Sequence, residues 1–145
     1  MIKIFRKIFD HEYKELEKFK LIANDVFALE DKYAKMSDKN LQAMTSKLKK
    51  RLADGETLDD LIPDAFAVVR EAAYRVIGEK PFYVQVLGAL AIHFGNISEM
   101  KTGEGKTLTC VMPAYLKSCY VVTKKYIIKR SCLYAASFLT VKVNK

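Results

Sequence analysis

The stretch SEMKTGEGKT, Ser98 to Thr107, constrains this chain more than any other. It places two glycines, Gly103 and Gly105, directly before Lys106 and Thr107. Loops of this kind present successive backbone N–H groups to an anion, and the helix that follows points its positive end at the same spot. The usual template is G-x-x-x-x-G-K-[ST], in which the lysine reaches phosphates and the hydroxyl holds Mg²⁺. Met100 stands where the template has its first glycine. That position lies where the chain leaves a strand, so a differently shaped turn can accept another residue. The bland alternative is a glycine turn with an incidental lysine.

The flanks give the loop a setting. Residues 12–33 carry Leu16, Phe19, Ile22, Ala23, Val26, Phe27 and Tyr33 at helical spacing. Ser37 is placed to cap a second helix with Leu41, Met44, Leu48 and Leu52 on one stripe, and Gly55 suits its end. Thr57 or Asp60 can cap a third element, with Pro63 fitting a first turn, where its missing N–H is harmless. DAFAVVREAAYRVIG reads as a strong helix closed by Gly78 and Pro81. FYVQVLGALAIHFG is apolar enough to be a buried helix or a strand. NISEM reads as a strand before the loop and KTLTCVMPAYLKS as a helix after it, despite Pro113. CYVVT and YIIK read as further strands. The expected fold class is therefore α/β: N-terminal helices, then the truncated start of a parallel sheet carrying the phosphate loop.

Charge and cysteine usage narrow the function classes. The formal net charge is +8 over 145 residues, but it is unevenly spread. Residues 117–145 hold seven basic residues and no acid, leaving 18 basic against 17 acidic residues, or +1, in residues 1–116. The basic character belongs to the tail and does not mark the body as a nucleic-acid binder. Cys110, Cys119 and Cys132 have no C-x-x-C spacing, which suggests a reducing, cytosolic setting. His11 and His93 have no partner at metal-ligand spacing and read as structural. In MIKIFRKIFD, Lys3, Arg6 and Lys7 interrupt the apolar run that a signal peptide needs. Ile2, Phe5, Ile8 and Phe9 instead recur at helical spacing, as in a helix packed on its own domain or lying on an anionic lipid surface.

FAVVREAAYRVIG, followed by VQVLGALAIHFGNISEMKTGEGKTLTCVMPAYL, resembles the start of the SecA family, the ATPase motors of bacterial protein export. LIANDV and the segment from Ser37 to Ala72 agree with it, and the resemblance covers roughly residues 1–117. It implies a RecA-like motor sheet and a nucleotide-binding domain over residues 1–117, followed by an atypical basic tail over 118–145. The resemblance implies ATP and Mg²⁺ as cofactors. It assigns Gln85 to the adenine, Thr102, Gly103, Glu104, Gly105, Lys106 and Thr107 to the phosphates, and the Thr107 hydroxyl to Mg²⁺. It further implies the SecYEG channel, preproteins and anionic lipid as partners, homodimers, and a cytoplasmic protein held peripherally at the inner face of the cell membrane.

Two departures, Ala89 in the usual Gly-Gly and Phe94 at a usually acidic position, leave the phosphate chemistry untouched and fit either a housekeeping or an accessory form. The ending is the larger departure. CYVVTKKYIIKRSCLYAASFLTVKVNK lacks glycine and acid, and reads as a frameshifted or foreign tail. No Asp-Glu pair follows the loop, and Asp59-Asp60 reads as helix capping. These 145 residues are therefore expected to bind ATP without hydrolysing it or translocating protein. Two other readings stand beside this one: a non-catalytic remnant that binds lipid or partners, and a nucleic-acid motor fragment, which the charge distribution disfavours.

Overall fold

The computed structural model describes the backbone of residues 2–124 and the side chains of residues 13–120. Six helices follow one another: α1 (Ile2–Ala28), α2 (Glu30–Ala34), α3 (Asp38–Ala53), α4 (Leu58–Ile77), α5 (Tyr83–His93) and α6 (Lys106–Lys124). Their ends are written in the sequence. The Ser37 hydroxyl accepts from the Asn40 N–H and opens α3. Thr57 and Asp60 form a reciprocal capping box at the start of α4. Gly78 closes α4 with φ +75°, donating its N–H to the Tyr74 carbonyl at 3.0 Å. Because α4 begins at Leu58, Pro63 lies in its second turn rather than its first.

α4 is the central element. Ala65 to Ala72 are all buried, so this helix is covered on nearly every side. Phe66, Leu61, Ile62 and Val69 of α4 meet Val26 of α1, Tyr33 of α2, Leu48 of α3, Val86 and Leu90 of α5, and Met112 and Leu116 of α6 in one cluster. Each such side chain contributes about 1.5–3 kcal/mol on burial. Polar ties fix the outer helices: the Tyr83 hydroxyl donates to the Lys20 carbonyl, joining α5 to α1, and Thr45 and Tyr115 hydroxyls lie 2.9 Å apart, joining α3 to α6.

The expected α/β class does not hold. Among the described residues there is no strand and no sheet. Residues 96–100 are irregular, since an extended segment gains ladder hydrogen bonds only beside a partner strand. Residues 119–123, expected as a strand from their β-branched run, are helical and continue α6. Cys119 is fully buried on that helix, so packing overrides local preference there. The apolar segment that allowed either reading is the helix α5. The expected strand at 126–129 and most of residues 118–145, expected as an atypical tail, lie outside the described residues.

A charged cluster pins α2 and α3 to α4. The Asp64 carboxylate accepts hydrogen bonds from the Tyr33 hydroxyl, from Arg51 Nη1 at 2.6 Å and from Lys32 Nζ at 3.0 Å. Burial alone would raise the Asp64 pKa, but the donors from Tyr33, Arg51 and Lys32 outweigh it and hold the carboxyl below its ordinary value of 3.8. A lowered folded pKa gives stability that is complete above the unfolded value and is lost as pH falls through the folded one. Asp64→Asn should therefore cost on the order of 2 kcal/mol at pH 7. The gap to the parent should narrow below about pH 4, read as urea midpoints across a pH series.

Candidate functional site

The loop residues are set between α5 and the start of α6. Lys101 to Glu104 form a turn, with the Glu104 N–H donating to the Lys101 carbonyl at 3.3 Å. Both groups of the Lys101 backbone serve the loop: its N–H donates to Glu104 Oε2 at 2.7 Å, and its carbonyl also accepts from the Lys106 ammonium at 2.8 Å. Gly103 and Gly105 have φ of +90° and +78°, conformations that cost little only at glycine. Thr102, Gly103, Glu104, Lys106 and Thr107 are all exposed, and Gly105 is half-buried.

α6 begins at Lys106 itself. Among the described residues, the first backbone bond into its opening turn runs from the Thr109 N–H to the Gly105 carbonyl at 3.1 Å. The N–H groups of Lys106, Thr107 and Leu108 precede that bond and carry no backbone acceptor. These donors, the helix dipole and the Lys106 ammonium are the equipment an anion needs. The same helix is rooted in the core, with Thr109 at 1% exposure and Met112 and Leu116 at 0%. The site is thus built on a fixed helix rather than on a free loop.

Gln85 is brought to the loop from the first turn of α5. It is 7% exposed, and its amide is engaged at both ends. Gln85 Oε1 accepts from the Phe82 N–H at 2.8 Å, and Nε2 donates to the Glu104 carbonyl at 2.8 Å. A side-chain amide has two N–H groups and two lone pairs, so one donor and one acceptor remain. Gly88, one turn along, lets the pre-loop segment close on α5. A Cβ there would lie 2.8 Å from Ser98 Oγ and 3.1 Å from Thr109 Cγ2. The neighbouring departure, Ala89, is fully buried and fits without disturbing that contact. Phe94, the other departure, stacks on Phe19 with centroids 5.4 Å apart.

All the residues expected at the site lie on this one loop or hydrogen-bond to it. Sequence reasoning missed two features around it. Phe82, the residue before α5, is 72% exposed beside Gln85. Arg70 is buried and donates to the carbonyl of Pro81, next to the Gln85 cap. Only the first carried a signal in the sequence, an aromatic residue between Pro81 and the helix it precedes.

A glycine-bearing loop that opens a core-anchored helix gathers unbonded N–H groups and a helix N-terminus in one place. The family description of the SecA DEAD-like domain matches residues 4–133. The chain is 53% identical over 125 residues to "Protein translocase subunit SecA 1" of Corynebacterium efficiens, covering 82% of this chain and 15% of that protein. It is 55% identical over 125 residues to the protein of the same description from Mycolicibacterium paratuberculosis, covering 82% of this chain and 13% of that one. The counterpart in Alkaliphilus metalliredigens is 48% identical over 139 residues, covering 91% of this chain and 16% of the relative. The chain belongs to the SecA family. It spans about one seventh of the length of these relatives.

Proposed function

We propose that the chain is the N-terminal, ATP-binding part of a SecA-type motor that drives protein export. The observation that carries this reading is the loop itself. Gly103 and Gly105 take positive φ immediately before a helix whose first residues are Lys106 and Thr107. The N–H groups of that turn and the Lys106 ammonium suit the polyphosphate, and the Thr107 hydroxyl suits Mg²⁺. The spare donor and acceptor of Gln85 suit the Hoogsteen edge of adenine, whose amino group donates and whose N7 accepts. Bound Mg-ATP supplies the phosphoanhydride whose cleavage drives a motor; these residues bind and orient it.

Turnover needs more than this cradle. A carboxylate pair must hold Mg²⁺ and position water, and an arginine must offset the developing charge. The last acidic residue of this chain is Glu104, which lies within the loop. The proposed activity of these residues alone is therefore binding, with hydrolysis and translocation belonging to a longer motor. The proposed setting is cytoplasmic and peripheral at the membrane, with a SecYEG channel, preproteins, anionic lipid and a second copy as partners. The helical spacing of Ile2, Phe5, Ile8 and Phe9, with Lys3, Arg6 and Lys7 between them, supports the lipid contact. Among the described residues no helix is long and apolar enough to cross a membrane.

Titration calorimetry tests the reading. Mg-ATP should give a saturable heat with one site per chain. A sample that melts cooperatively and yet gives no heat would overturn it. Salt-sensitive binding to single-stranded RNA with no response to ATP would favour a nucleic-acid role instead.

A further inference from the structure

Arg70 sits in the middle of α4 at 4% exposure, and the nucleotide chemistry above makes no use of it. A buried guanidinium is unfavourable unless its donors are paired. Here Nε–H donates to the Pro81 carbonyl at 3.0 Å and Nη1 donates to Glu30 Oε2 at 2.9 Å. The guanidinium carbon also lies 3.7 Å from the centroid of the Phe27 ring. The other Glu30 oxygen accepts from Lys80 Nζ at 2.8 Å, so both residues of the Lys80–Pro81 connector are held.

The peptide between Pro81 and Phe82 is a rigid plane. Arg70 takes its carbonyl, and its N–H donates to Gln85 Oε1. Gln85 Nε2 then donates to the Glu104 carbonyl. One line of hydrogen bonds thus runs from a buried cation, through a peptide plane and a side-chain amide, to the glycine loop. We infer that Arg70 is the positioning residue for Gln85 and, through it, sets the base selectivity of the nucleotide site. This inference rests on the ATP-binding reading above.

The chemistry is that of a fixed amide. A flipped Gln85 would set Nε2 against the Phe82 N–H donor and Oε1 against the Glu104 carbonyl acceptor. Both contacts would be repulsive, so the amide has one orientation as long as the Phe82 N–H stays in place. In that orientation its spare lone pair and spare N–H match adenine. A 6-oxopurine presents acceptors at both O6 and N7, so one of them meets Oε1 and is rejected. If the peptide plane loosens, the amide can turn both N–H groups outward and accept the wrong base. Lysine cannot replace Arg70 here, because a single ammonium lacks the fork that serves Pro81 and Glu30 in fixed geometry.

The test uses the full chain and Arg70→Lys, with Mg-ATP and Mg-GTP as probes. The ratio of the GTP to the ATP dissociation constant should fall about tenfold, the size of one lost hydrogen bond. Without nucleotide, the Phe82 amide proton should exchange faster and the Gln85 side-chain NH₂ resonances should shift. An unchanged ratio in a folded variant, or unchanged Gln85 resonances, overturns the inference. If Arg70→Lys does not fold, Glu30→Ala removes one Arg70 partner at a carboxylate that is 37% exposed. The ratio then falls severalfold, or the inference is wrong. A parent chain that binds neither nucleotide sinks the ATP reading instead, and the ligand-free Phe82 and Gln85 signals still judge Arg70.

Discussion

Lys106→Ala is expected to weaken Mg-ATP binding about a hundredfold while leaving the ligand-free chain about as stable as the parent. Lys106 is the first residue of α6 and is exposed, so its stem fills no part of the core. Its ammonium is held by one neutral acceptor, the Lys101 carbonyl, at 2.8 Å. Moving to a polyphosphate exchanges that neutral acceptor for anionic oxygens, which adds the attraction between opposite charges to a bond whose donor is already ionised. The difference is present only when ligand is bound, so the variant loses affinity without losing stability. Thermal melts separate the two. At a ligand concentration of about 100 times the parent Kd, the parent gains about 2.7 kcal/mol and the variant about 0.4 kcal/mol. Equal gains would show that the lysine does not reach the ligand.

The helical part of this fold was legible because helices announce themselves locally. Ser37 and Thr57 cap where a short polar side chain is expected to cap, and Gly78 adopts the left-handed turn that ends α4. Leu41, Met44 and Leu48 are buried along one stripe, as their spacing requires. The strands were misread for a related reason. A strand is a property of two segments, and NISEM or CYVVT could be scored only one at a time. Cys119 then follows Leu116, Tyr115 and Met112 into the core on the helical period of α6.

The candidate site was legible in the same uneven way. Gly103, Gly105, Lys106 and Thr107 are adjacent in sequence and can be read off. Gln85 entered only through a family resemblance, because its contact with Glu104 spans 19 residues. Nothing in the sequence pairs Arg70 with the Pro81 carbonyl. A bond from a side chain to a backbone oxygen leaves no residue pattern on the acceptor side. Such contacts emerge only once α4 and the connector to α5 are placed together.

Gly105→Ala should be the more damaging change at the loop, and for two separable reasons. Its φ of +78° is strained for any residue with a Cβ, at about 1–2 kcal/mol. A Cβ at this position would also collide with Gln85 Nε2. The amide cannot retreat without surrendering its bond to the Glu104 carbonyl, and with it the tie between α5 and the loop. The variant should lose about 2–3 kcal/mol of stability in urea melts. Its Mg-ATP binding should fall below that of Lys106→Ala, since the N–H groups no longer converge. A double-mutant cycle separates the two causes. Gln85→Ala removes the side chain that the new Cβ meets, so the double variant should recover about 1 kcal/mol relative to the sum of the single losses. The backbone strain remains in the double variant, and binding should stay impaired. Strict additivity would mean that the two residues do not touch, and the link between the amide and the glycine loop would fail with it.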